Sequence, residues 1–130
     1  MSVVVGYLRS KEGQAALHAA VQECLLRASD LLVVQTPRAG QAADETAIDD
    51  ELTAARAQLE SAGLALELHE GSEGQDVSED LIGAAEAAKG EVIVIGLRRR
   101  SAIGKLILGS NAQRVLLDAP CPVLAVKAEG

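Results

Sequence analysis

The stretch that decides the fold is Val92-Ile93-Val94-Ile95-Gly96, followed by a basic segment and then by Ser110-Asn111-Ala112-Gln113-Arg114. The first run is short, apolar and β-branched, which is typical of a strand buried on both faces. Ser110 with Gln113 three residues later forms the pattern of a helix capping box. The stretch therefore predicts a buried strand, a basic loop and a helix from about residue 111 to residue 118.

The same alternation of strand and helix patterns extends outward from this stretch. Apolar runs at residues 3–7 and 31–34, a strictly alternating run at 64–69 and the run 122–126 predict four further strands. Between them, apolar residues recur every three or four positions, which is typical of a buried helical face. These residues are Leu17, Val21, Cys24 and Ala28 in the first helix, Ile48, Leu52, Ala55 and Leu59 in the second, and Leu81, Ile82 and Ala85 in the third.

Polar and glycine residues mark the ends of these elements. Ser10 and Ser78 are predicted to cap the first and third helices, because a serine hydroxyl can accept a hydrogen bond from a free N–H of the first turn. Gly63 is predicted to end the second helix, and Gly90 lies just past the third. Residues 36–45 and 71–75 are predicted to be surface loops.

The order of elements predicts an α/β fold. Right-handed crossovers turn this alternation into a five-stranded parallel open sheet with helices on both faces, and we expect the strand order 3-2-1-4-5. The alternating run 64–69 has one polar face and is expected at an edge, whereas residues 92–96 are expected near the centre. We found no internal repeat or linker, so residues 1–130 are expected to form one domain.

Composition and charge exclude several classes of function. Tyr7 is the sole aromatic residue, so the chain has no stacking platform for single-stranded nucleic acid. Residues 1–90 contain 6 Lys/Arg and 16 Asp/Glu, whereas residues 91–130 contain 6 and 3. An acidic body disfavours nucleic acid, while its local basic segment still attracts one small anion.

The cysteines, histidines and apolar runs bear on metal binding, membrane insertion and cellular location. Cys24 and Cys121 are too far apart in sequence to indicate a disulfide framework or a zinc site, and neither His18 nor His69 has partners at metal-ligand spacing. No apolar run approaches the roughly 18 residues of a membrane span. We therefore expect no metal site, no membrane segment and a cytoplasmic location.

The basic segment has two interpretations from its residues alone. Glycines at a strand end and before a helix, with Arg98, Arg99 and Arg100 between them, suit a phosphate pocket at the carboxyl edge of the sheet. Alternatively, Gly109 has only the conformational role of forming a turn, and the arginine side chains are exposed to solvent without binding a ligand. The segment is not a Walker A loop, because Leu106 stands where Ser or Thr would hold magnesium. Both interpretations stay open at this point.

The residues from Gly96 to Lys127 resemble the C-terminal part of universal stress proteins. The resemblance is carried by Leu108-Gly-Ser-Asn-Ala-Gln-Arg-Val-Leu and by Ala119-Pro-Cys-Pro-Val-Leu-Ala-Val. It implies one universal stress protein domain with an adenine nucleotide alpha hydrolase-like, Rossmann-like fold, and a site for ATP or AMP. The cofactor-binding positions that it implies are Gly6, Thr36, Ile95, Gly96, Arg98, Arg99, Gly109, Ser110 and Asn111.

Two positions depart from the pattern of the nucleotide-binding members. Those members have Gly, two residues, Gly, nine residues and then Gly-Ser or Gly-Thr; here the second glycine position is Arg99. They also place an Asp after the first strand, where this chain has Leu8, which cannot accept a hydrogen bond. Losing that anchor costs about 1–3 kcal/mol of binding. The sequence therefore predicts a degenerate site with weak nucleotide affinity.

Three functions are compatible with these residues. The first is a stress-associated regulatory or binding protein that forms a homodimer through the strand Val123-Leu124-Ala125-Val126. The second is a nucleotide-independent protein-interaction module, which Leu8 and Arg99 favour. The third is an ATPase or autokinase, which the chemistry disfavours because no Asp, Glu or His occurs from Gly96 to Arg114. We expect no catalytic residue and no enzymatic activity.

Overall fold

The computed structural model describes residues 2–7, 11–35, 45–71, 76–97 and 110–128. Five strands and four helices alternate along them. They are β1 (Ser2–Tyr7), α1 (Lys11–Arg27), β2 (Asp30–Gln35), α2 (Glu45–Ser61), β3 (Leu66–Glu70), α3 (Val77–Ala88), β4 (Gly90–Leu97), α4 (Ser110–Asp118) and β5 (Val123–Lys127).

The strands form one parallel sheet in the order β3-β2-β1-β4-β5, which confirms the predicted fold class. β1 pairs with β2 from Ser2 opposite Asp30 to Tyr7 opposite Gln35, and with β4 up to Val5 opposite Val94. The middle strand is thus β1, and β4 lies between β1 and β5.

Two apolar layers cover the two faces of the sheet. On one face α1 and α2 pack against alternate strand residues such as Val3, Val5 and Val94. On the other face α3 and α4 pack against Val4, Ile93 and their neighbours. Cys24 is fully buried in the first layer, as the helical spacing predicted.

The start of α3 differs from the predicted cap. Asp76, not Ser78, is the N-cap residue, and no side-chain hydrogen bond caps the helix. Ser78 lies inside the first turn on the buried face, since its position relative to Leu81 and Ala85 follows the helical repeat. The left-handed residue that ends α3 is Lys89 with φ 52, while Gly90 already belongs to β4. Gly63, with φ 78, follows α2 as predicted.

The β3 edge is more exposed than its alternating pattern predicted. Leu66 is buried beneath the first layer, but Leu68 is 44% exposed. Within the ranges that the structure describes, no helix combines the length and hydrophobicity needed to cross a bilayer.

Candidate functional site

The order in which successive strands are added to the sheet reverses between β1 and β4. α1 leads from β1 to β2, whereas α4 leads from β4 to β5 in the opposite direction and on the opposite face. In open parallel sheets such a switch point leaves a crevice at the carboxyl ends of the two strands, where ligands bind. Here those carboxyl ends are Tyr7 and Leu97.

Gly96 lies on the α1 side of this crevice. A Cβ at Gly96 would lie 2.6 Å from the carbonyl carbon of Glu12 and would overlap its oxygen. Only glycine therefore allows the first turn of α1 to pack directly on the end of β4. This close packing explains the residue without any ligand.

Gly6 has the corresponding position on the α3 side. A Cβ there would lie 2.9 Å from Cδ1 of Leu81, so the missing side chain lets α3 approach the end of β1. Ile95 is buried in the layer of α3 and α4, so its side chain belongs to the core. Since Val5 pairs with Val94, Gly6 and Ile95 follow that pair by one residue each.

Ser110 and Asn111 begin α4 and are both exposed. A crossover helix runs antiparallel to the strands, so α4 begins at the carboxyl edge of the sheet. Its first turn contains no acidic residue, so no carboxylate of this turn competes with an anion for the positive end of the helix dipole.

The structure thus brings Gly6, Ile95 and Gly96 to adjacent strand ends and places Ser110 and Asn111 at the same edge. The other implied positions, which are Thr36, Arg98, Arg99 and Gly109, lie outside the described residues. The binding role of the whole set stays a prediction.

Arg114 was not singled out by the sequence analysis, yet it links α4 to α3. Its guanidinium lies 3.1 Å from Glu79, 3.9 Å from Asp76 and 3.7 Å from Asp118. The i,i+4 spacing of Arg114 and Asp118 was the only sequence signal available for this cluster. Because Asp76 and Glu79 belong to the start of α3, Arg114 partly offsets negative charge at the carboxyl edge.

Tyr7 lies at the end of β1, on the face of the sheet that α1 and α2 cover. Its side chain is 3% exposed, and its hydroxyl donates to Oε2 of Glu51 on α2 at 2.6 Å. A buried tyrosine hydroxyl needs such a partner. The contact anchors α2 to the end of β1 beside the crevice.

The described residues include one buried thiol, that of Cys24, and no candidate metal cluster. Burial, with smaller contributions from Asp30, Glu91 and Glu23, raises the pKa of Cys24 to about 12, so its thiol stays protonated and unreactive at neutral pH. No cluster of three or more His, Cys, Asp or Glu in the described ranges is arranged to hold a metal ion.

Comparison with known proteins gives consistent matches along the chain. A model of the universal stress protein family matches residues 1–127. A universal stress protein of Mycolicibacterium smegmatis is 38% identical over 129 residues, or 98% of each chain. A solved universal stress protein from Archaeoglobus fulgidus aligns with a TM-score of 0.73 at 34% identity, again over 98% of each chain. A universal stress protein from Archaeoglobus fulgidus solved in complex with dAMP aligns with a TM-score of 0.68 at 28% identity over 98% of each chain.

Proposed function

This chain belongs to the universal stress protein family, and from that premise we propose that it binds an adenine nucleotide, AMP or ATP, between the carboxyl ends of β1 and β4. The observation that carries the proposal is the full-length match to the Archaeoglobus fulgidus protein solved with dAMP. The strand order supports it, since Gly6 and Gly96 lie at the ends of β1 and β4, beside the switch point where open parallel sheets bind ligands.

The affinity is expected to be low. Leu8 replaces the acidic anchor of the nucleotide-binding members, and Arg99 replaces a glycine of their phosphate loop. A guanidinium at position 99 can itself bind a phosphate, so charge is retained while close backbone approach is lost. We propose that the protein acts as a cytoplasmic, stress-associated regulatory protein rather than as an enzyme.

The direct test is whether the protein purified under native conditions carries a nucleotide. Mass spectrometry of the perchloric acid extract, compared with a Gly109→Asp variant prepared in the same way, identifies the nucleotide. Recovery of AMP or ATP from the wild type, but not from the Gly109→Asp variant, supports the proposal. A protein that is empty and binds no adenine nucleotide at millimolar concentration would instead be a nucleotide-independent interaction module, which Leu8 and Arg99 favour.

We also propose that the protein is a homodimer that pairs through β5. Ile93 donates to the Pro122 carbonyl and Ala128 donates to the Leu97 carbonyl, so even-numbered residues of this segment point their backbone groups toward β4. By strand alternation, Val123, Ala125 and Lys127 point theirs outward. These outward groups are unsatisfied by β4, and an antiparallel second copy would pair with them about a two-fold axis.

The side chains around β5 support pairing at this edge. Leu124 is 37% exposed, and the adjoining helix α4 exposes Leu116 and Leu117, the latter by 82%. By contrast, the opposite edge strand β3 carries Glu67, His69 and Glu70, and Arg56 lies 3.4 Å from the carbonyl oxygen of Leu66. Charges and a covering side chain are common protections of a free edge.

A pair of proline substitutions tests this interface. Ala125→Pro removes an outward N–H and should give a folded monomer, because proline is tolerated on the free side of an edge strand. Leu124→Pro removes an inward N–H and should lower the thermal midpoint instead. Leu124→Lys should also shift the protein toward monomer. If sedimentation at micromolar concentration finds Ala125→Pro and Leu124→Lys fully dimeric, the interface lies on another surface.

A further inference from the structure

Ser78 has a buried hydroxyl group that the fold does not use. Its side chain is 1% exposed, and among the described residues its Oγ has no hydrogen-bond partner. Burying a hydroxyl without a partner destabilises the folded state relative to an apolar group of the same size. Such a group in a native structure calls for a partner, which a bound water or a ligand would supply.

The position of Ser78 follows from two contacts of α3 with the sheet. Near the start of β4, a Cβ at Gly90 would lie 3.5 Å from the Cβ of Ala85; near the end of β1, Leu81 faces Gly6. The buried face of α3 therefore runs from the amino edge to the carboxyl edge of the sheet. Three helical residues advance about 4.5 Å, and one strand residue about 3.3 Å. Ser78 consequently lies just beyond Gly6, where β1 ends and the crevice begins.

The charges around Ser78 restrict what its hydroxyl can bind. Asp76, Glu79 and Asp80 occupy the same turn of α3, and Asp80 is itself buried. Arg114 pairs with both Asp76 and Glu79, so over the residues that the structure describes these two acids share one cation and leave an excess of negative charge. A phosphate is disfavoured there, whereas an uncharged hydroxyl or a base edge suits a group that both donates and accepts.

We propose that Ser78 is a ligand-binding residue whose hydroxyl hydrogen-bonds the nucleoside part of the nucleotide. The inference rests on the proposed function and adds a residue to it. It also gives the site a hydrogen-bonding group near the end of β1. The competing explanation is that the position requires only a small side chain against the sheet, and in that case alanine would serve equally well.

The test compares binding of AMP and of adenosine by NMR titration, which measures dissociation constants into the millimolar range. The variants are Ser78→Ala, the nearly isosteric Ser78→Cys, and Ser61→Ala as the matched control, whose hydroxyl donates to a backbone carbonyl on an exposed face. Both Ser78 variants should weaken AMP and adenosine by the same factor, about 5- to 20-fold. Ser61→Ala should change neither. Without ligand, Ser78→Ala should unfold at the same temperature as the wild type or higher.

Each other result overturns the inference in a distinguishable way. Unchanged binding by the Ser78 variants, with a wild type that binds AMP, rejects the role of Ser78 and leaves the nucleotide function intact. A loss for AMP but not for adenosine shows that the hydroxyl contacts the phosphate, which contradicts the nucleoside contact. A wild type that binds neither compound rejects both the inference and the proposed function.

Discussion

The N-termini of α3 and α4 lie at the same edge of the sheet but differ in charge. The first turn of α3 contains Glu79 and Asp80 and follows Asp76, whereas the first turn of α4 contains no acid and starts with Ser110 and Asn111. Any parallel α/β sheet presents several helix N-termini, each with free N–H groups and positive partial charge. Side chains therefore decide which of these equivalent ends remains available to a phosphate.

Arg114 makes the two ends interdependent. It belongs to α4, yet its guanidinium lies closest to Glu79 of α3. The acids at the start of α3 therefore pair with the guanidinium of α4. The positive charge of that guanidinium reduces the excess of negative charge at the start of α3. We therefore expect the α4 end to receive the phosphate and the α3 end to receive the uncharged nucleoside.

The largest effect is expected from placing an acid immediately before α4. Gly109→Asp should lower AMP affinity by at least about 100-fold, since it adds like charge and a side chain at the closest approach to the phosphate. Gly83→Asp is the matched control, because it adds the same charge on the exposed side of α3 with nothing within 4 Å of its Cβ. Isothermal titration calorimetry with AMP measures both. Unchanged affinity in Gly109→Asp would place the anion site elsewhere.

A gain of affinity is expected from restoring the two positions that depart from the nucleotide-binding pattern. Leu8→Asp combined with Arg99→Gly should tighten ATP binding by about 10- to 100-fold, since it restores an acceptor after β1 and frees the path of the phosphate loop. For the wild type we expect a dissociation constant above about 1 μM, which corresponds to −8.2 kcal/mol. Tighter binding by the wild type, or no gain in the double variant, would show that these departures matter little.

A smaller effect is expected from changing the charge of each helix end separately. Asn111→Asp should weaken AMP binding about two- to fivefold, because an acid in the first turn of α4 competes with the phosphate for the dipole. Glu79→Gln should strengthen it by less than about twofold, because Glu79 is partly exposed and its charge is screened. Equal effects of the two substitutions on calorimetric affinity would remove the distinction between the ends.

The smallest effect is expected on stability. Arg114→Gln should lower the free energy of unfolding by about 0.2–1 kcal/mol, because the ion pairs of Arg114 are solvent-exposed. The difference from the wild type should shrink in 1 M salt, as measured by urea unfolding. A larger loss that is insensitive to salt would mean that Arg114 acts through packing of its aliphatic stem.

The fold could be predicted from the sequence because segments with clear helical periodicity separate its strands. Runs such as residues 92–96 are too apolar for any position but a sheet interior, and the crossover rule leaves few strand orders. The edge position of residues 64–69 followed in the same way from their polar alternate positions. The exposure of Leu68 could not be predicted in this way, because the extent to which α2 covers β3 depends on packing between elements.

The candidate site was only partly accessible from the sequence. Glycines mark where backbone must be approached closely, so Gly6 and Gly96 could be placed at strand ends in advance. Ser78 was assigned to a cap, because a serine before an apolar helical run usually is one. Its burial became evident only once the start of α3 at Val77 and its face toward β1 were known. Arg114 was missed for a similar reason, since two of its partners lie on another helix.

A titration of the uniformly ¹⁵N-labelled protein with AMP, followed by amide chemical shifts, tests the proposed nucleotide site directly. We expect the largest shifts at the switch point and at the start of α4, namely at Gly6, Gly96, Ser110 and Asn111, with little change along β3. Saturating AMP without shifts at these amides, or shifts concentrated on β5 or β3, would contradict a nucleotide site between the ends of β1 and β4.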